Sequence, residues 1–151
     1  MNARKLMIGN WVQLDEPDKY AGYKCKIRSL SDHCNEDGFY LFVDIYEGGF
    51  PITTREVFNE DLRPIPLTRE LLEKNGFDGD REVMQYTFED PTYLVDGKPE
   101  KLHFSLRQMY DRNNNPHGYS FYAFSVLTII DYVHQLQNAF ELCGINKEIV
   151  V

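Results

Sequence analysis

The residue types in this chain that invite metal or nucleophilic chemistry are its three cysteines and four histidines. They come closest together at His33-Cys34, with Cys25 nearby. Structural zinc takes four ligands, commonly in paired spacings such as C-x2-C. Cys25, His33 and Cys34 offer three local donors and no paired knuckle, and adjacent His-Cys side chains rarely aim at one ion. The expectation is a core thiol at Cys25 and a turn at His33-Cys34. A cysteine nucleophile needs a base and an orienting group. Cys34 has His33 beside it, but Asp32, Glu36 and Asp37 disfavour its thiolate. Cys143 falls on the apolar stripe of a predicted helix, where a thiol packs. No G-x-S-x-G, H-E-x-x-H, P-loop or dinucleotide fingerprint occurs. Glu89-Asp90 precedes Pro91, a turn position where adjacent acids are solvated. No catalytic residue, metal or cofactor is expected.

Binding chemistry has a better foothold. Lys24, Lys26 and Arg28 share one face of a predicted strand. Tyr40, Phe42 and Tyr46 share the outward face of its expected neighbour. Aromatics mixed with cations on a small barrel form a peptide or oligonucleotide platform. The competing reading packs these rings against the second half of the chain, with the cations pairing Asp44 and other acids. Three cations neutralise only about three phosphates, so the platform favours a protein or peptide over nucleic acid. Two other polar groups read as ordinary surface. Residues 112–118 are rich in Asn, Pro and Gly, as a hairpin connection requires. His134, Asn138 and Glu141 lie on the polar side of the last helix and are expected to be solvated.

The elements that must position these residues begin with β structure. Alternation at Val12 and Leu14, then along 23–30 and 39–46, marks three strands. Short strands over 52–57 and 62–65 complete a five-stranded meander. Asp37-Gly38 and Gly48-Gly49 supply turns around the third strand. The length and spacing match a small SH3-like barrel over residues 1–67. A helix over 69–75 follows, with Thr68 as cap and Asn75-Gly76 as stop. Residues 68–151 then read as an antiparallel sheet with flanking helices, packed on the first half as one unit. Its strands are expected at 83–88, around Leu102 to Leu106, and at 119–127. An amphipathic helix over 129–143 closes the chain, with Ile129, Val133, Leu136, Phe140 and Cys143 as its stripe and Thr128 with Asp131 as its capping pair. It is expected to lie across that second sheet, giving an α+β fold.

Composition bounds the rest. At 151 residues the chain is long enough to bury roughly 70% of the surface its unfolded form exposes. Its 24 acidic and 16 basic side chains give a net charge of −8. Both halves are net acidic, which repels phosphate backbones and argues against a basic nucleic-acid module. The longest apolar stretch, 121–130, is far short of the roughly 20 residues of a membrane helix. An odd cysteine number and no secretory leader point to a reduced, cytoplasmic protein that starts at Met1.

Pro64-Ile65-Pro66-Leu67-Thr68, then Leu71, Leu72 and Asn75-Gly76-Phe77, then the run from Tyr132 to Asn138, form a recognisable set. With the opening Ile8-Gly9-Asn10, they resemble a family of uncharacterised small proteins encoded by phages and mobile elements of gut bacteria. The resemblance implies a genetic setting and assigns no catalytic residue. The sequence thus leads to a non-enzymatic interaction module. The alternatives are an acidic DNA mimic or anti-restriction decoy, suggested by the charge, and an unrecognised hydrolase or metal-dependent enzyme.

Overall fold

The computed structural model describes residues 6–15, 19–35, 38–123 and 126–151, the side chains at 32–35, 90–93, 122, 123 and 126 excepted. The described residues form ten strands and two α-helices, mostly antiparallel sheet. They fall into two compact units: residues 1–66 with 132–144 and Val151, and residues 67–131 with 145–150.

The first unit holds β1 (Trp11–Leu14), β2 (Lys24–Asn35), β3 (Gly38–Glu47), β4 (Phe50–Phe58) and β5 (Leu62–Pro64), with a 3-10 turn at Asn59–Asp61. The sheet order is β4-β3-β2-β1-β5. Period-two alternation places Val12, Leu14, Cys25, Ile27, Leu41, Val43 and Ile45 on one face, where they bury together with Val57 and Leu62. The β3–β4 hairpin turns on Gly48 and Gly49, both at positive φ (58° and 87°), a conformation that a side chain disfavours. The Phe39 N–H donates to Asn59 Oδ1 at 2.9 Å, and a Cβ at Gly38 would overlap the Asn59 side chain.

The same unit includes the last helix, α2 (Val133–Leu142). Its side chains satisfy backbone groups at the start of β1. Gln137 Oε1 accepts from the Trp11 N–H at 2.8 Å, and Gln137 Nε2 donates to the Gly9 carbonyl at 3.1 Å. Asn138 Oδ1 accepts from Asn10 Nδ2 at 2.9 Å. Val133, Leu136, Ala139 and Phe140 are buried.

The second unit holds α1 (Arg69–Lys74), β6 (Asp78–Gly79), β7 (Val83–Val95), β8 (Lys98–Tyr110), β9 (Pro116–Ala123) and β10 (Val126–Ile130), in sheet order β10-β9-β8-β7-β6. One sheet face buries Met84, Phe104, Leu106, Tyr119 and Ile130. Phe104 stacks on Phe121 at 4.3 Å between centroids, and Phe77 meets Tyr86 at 5.5 Å. Thr68 caps α1 by accepting the Leu71 N–H at 3.3 Å, and Gly76 at φ 80° ends it, as the sequence requires. Asn75 then clamps the tail of the chain: its side chain accepts from the Val150 N–H and donates to the Val150 carbonyl, both at 2.8 Å.

Several expectations need correction. The strand expected at 119–127 is a hairpin, because Ile129 and Thr128 continue a strand that pairs with Ser120 and Phe121. Helix α2 therefore starts at Val133, and Ile129 lies in a strand at the surface instead of on the helical stripe. The Tyr132 N–H donates to Gln135 Oε1 at 3.1 Å at the helix start, where Thr128 with Asp131 was expected. The helix groups with the first sheet, where the sequence had assigned it to the second, so the boundary expected at 67/68 gives way to a discontinuous one. His33 and Cys34 belong to β2 rather than to a turn, with Cys34 paired to Phe39. Glu89 and Asp90 sit in β7, just before a bulge, and not in a turn. The expected turn residue Asp37 lies outside the described residues.

Candidate functional site

The outer face of the first sheet is set by strand register. Trp11 lies opposite Lys26, Lys26 opposite Asp44, and Asp44 opposite Thr54, making one row across four strands. The next row runs Gln13, Lys24, Tyr46 and Pro51. Alternation sends all of these away from the core formed by Cys25, Ile27, Val43 and Ile45. A bulge between Ile27 and Ser29 holds Arg28. Phe42 lies opposite Ser29 and Glu56, and Tyr40 opposite Phe58. Adjacent pairing of β2 and β3 thus brings the six expected residues onto one surface, as the platform reading requires.

Their environments differ. Arg28 forms an ion pair with Asp44 at 3.3 Å and also donates to Thr54 Oγ1 at 3.2 Å. Lys26 Nζ stands 5.7 Å from the centre of the Trp11 ring, and Tyr46 meets that ring edge-on at 4.7 Å. Tyr40 packs on Phe58 at 5.1 Å. Phe42 is 37% exposed, while Tyr40 and Tyr46 are half-buried. Lys24 is exposed and has no ion-pair partner among the described residues. Trp11, at 7% exposure, carries an indole N–H that finds no acceptor among them. The face therefore presents Phe42 and the flank of Tyr46 to apolar groups, and Lys24 to an anion.

The other candidate groups resolve as structure. Cys25 is fully buried, and desolvation pushes its thiol up to about 12, so it packs as a small apolar residue. Burial also raises the Cys143 thiol. Of the expected 112–118 loop, residues 112–115 are the hairpin connection and 116–118 already belong to β9. The connection is organised by Asp111, whose Oδ1 accepts the Asn113 and Asn115 N–H groups at 2.8 and 2.9 Å. Hydrogen bonds from Asn115, backbone first, hold that carboxyl below its ordinary range. His134 and Asn138 are not on a solvated face: His134 is buried and Asn138 is bonded to Asn10. Glu141 is exposed. The side chains of His33 and Cys34 lie outside the described ones. Among the described residues no group of three or more His, Cys, Asp or Glu is arranged to hold a metal ion. No helix among them is long and apolar enough to cross a membrane.

A second concave surface escaped the sequence reading. It lies on the outer face of the second sheet, a cleft of about 650 Å³ lined by Val83, Gln85, His103, Ser105, Arg107, Ser120, Phe121 and Leu127. The signal was present in the polar residues that alternate with Met84, Tyr86, Phe104 and Leu106. Such alternation reads as a solvated face, and curvature is invisible to it.

Comparison with known protein families, with curated proteins and with solved structures finds no match for this chain.

Proposed function

We propose that the chain is a non-enzymatic interaction module whose first unit is an SH3-like barrel that binds an extended peptide on the outer face of β2 and β3. The observation that carries this reading is the shared surface of Lys24, Lys26, Phe42 and Tyr46, with Phe42 exposed and Lys24 unpaired among the described residues. The barrel assignment is supported by the strand order β4-β3-β2-β1-β5, with a 3-10 turn before the closing strand. Charge and shape together favour a partner with acidic and apolar side chains. Arg28 is already neutralised by Asp44, so the face lacks the run of free cations that a phosphate backbone needs. The resemblance of the 64–77 and 132–138 motifs adds a setting to the proposal: service to a phage or mobile element in a host cytoplasm.

Selection of a random peptide display library on the full chain tests this. The expected result is an enriched motif combining acidic and apolar residues, with enrichment abolished by Lys24→Glu with Lys26→Glu. No enriched motif, or one insensitive to that charge reversal, would overturn the reading.

A further inference from the structure

The cleft on the second sheet has a chemistry of its own. Register arranges its floor in three rows. Val83, Arg107, Ser120 and Ile129 stand side by side across β7, β8, β9 and β10. Gln85 faces Ser105 in the next row, and Thr87 faces His103 in the third. Gln85 Nε2 donates to Ser105 Oγ at 3.2 Å, which leaves the Ser105 hydroxyl proton for another acceptor. Thr87 Oγ1 and His103 Nδ1 lie 3.0 Å apart, which orients the imidazole on the cleft floor. Ser120 Oγ donates to the Arg107 carbonyl at 3.4 Å. The Arg107 guanidinium is exposed and has no ion-pair partner among the described residues.

No carboxylate is among the described residues that line the cleft, although the chain carries a net charge of −8. Along β7 beyond Val83 the next acid on this face is Glu89, which faces Lys101 and lies about 20 Å from Val83 along the strand. At the other end of the cleft the Asp80 carboxylate accepts the Val83 N–H at 2.8 Å, and Asp131 stands two residues beyond Ile129. Among the described lining residues Arg107 thus stands as a cation with hydroxyl and amide groups beside it, the two acids lying at one end of the cleft. Val83 and Leu127 supply an apolar side to the same space. The volume lies within the range of small-molecule sites, which combine an apolar wall with a few polar groups.

We propose that this cleft binds a small organic monoanion: a carboxylate, held by the Arg107 guanidinium and the Ser105 hydroxyl, on an apolar body that lies against Val83 and Leu127. A planar guanidinium fork matches a carboxylate in two parallel hydrogen bonds. A single cation matches a single charge, which separates this ligand class from nucleotides and other polyphosphates. The site is on the second unit and is independent of the peptide surface on the first.

The test titrates the full chain with 4-phenylbutyrate and with its neutral amide, following backbone amide resonances. The expected result is saturable shifts at residues 83–87, 103–107, 119–121 and 127, with the amide binding at least about tenfold more weakly, the scale of a lost hydrogen bond to a charged group. Arg107→Gln should weaken 4-phenylbutyrate by a similar factor at an unchanged melting midpoint, whereas Lys24→Gln should leave it unaffected. Equal binding of acid and amide would overturn the proposal, as would shifts outside these strands or an unaffected Arg107→Gln variant. If Arg107→Gln fails to fold, the comparison of acid with amide on the unaltered chain still decides.

Discussion

Phe42 and Cys25 show how neighbouring strands assign opposite fates to similar apolar side chains. Phe42 stands on the outer face and Cys25 on the inner one, a difference fixed by strand parity. Tyr40→Ala with Phe42→Ala should therefore cost about 2 kcal/mol in total, because both rings are only partly buried. A single fully buried ring such as Phe140 should cost about 3–5 kcal/mol when cut to Ala. Thermal or urea melts of the two variants check the order; a larger loss for the double variant would make its rings core. Cys25 carries a prediction of the opposite kind. With its thiol pushed up to about 12 by desolvation, little thiolate exists at neutral pH, and what exists is shielded. Alkylation by iodoacetamide at pH 8 should be slower at Cys25 in the native chain than in urea by on the order of a hundredfold. Residue-resolved mass spectrometry reads this directly, and comparable native and denatured rates would contradict it.

Among the elements, those with strong local signals were legible in the sequence. The α1 cap and stop at Thr68 and Asn75-Gly76 are local chemistry, and the β3–β4 turn needs only Gly48-Gly49. The strands of the first unit follow from alternation, as does the meeting of the six surface residues. The expected five-strand meander gives way to an order in which β5 returns to pair with β1. The β9–β10 hairpin was hidden because residues 124–125 contain no Gly, Asn or Pro, so an apolar run gave no turn signal. That omission displaced the start of α2. Its partner was illegible for a different reason: the ties from Gln137 and Asn138 to residues 9–11 span more than a hundred positions, and polar helix residues read as solvated. Those ties give the helix its anchoring. Gln137→Ala would leave the Trp11 N–H and the Gly9 carbonyl without their side-chain partner, at a cost of about 1–3 kcal/mol. An exposed control, Glu141→Ala, should change stability by less than about 0.5 kcal/mol. Chemical denaturation of the two variants separates them, and equal midpoints would mean that the ties contribute nothing net.

For the molecule as a whole, charge and surface chemistry point in different directions. The net charge of −8 disfavours polyanions, yet each unit has an outer sheet face that presents at least one cation without an ion-pair partner among the described residues, Lys24 on the first and Arg107 on the second. A locally cationic, aromatic face on an acidic chain selects partners by shape and by a few charges instead of by bulk field. The central claim is that the outer face of β2 and β3 is where a peptide docks. It is tested most directly by mapping amide chemical shifts while the full chain is titrated with the peptide from the display selection. Docking on this face gives saturable shifts concentrated at residues 24–28 and 40–46, lost in the Lys24→Glu, Lys26→Glu variant. Shifts confined to the second sheet, or shifts that persist in that variant, would contradict it.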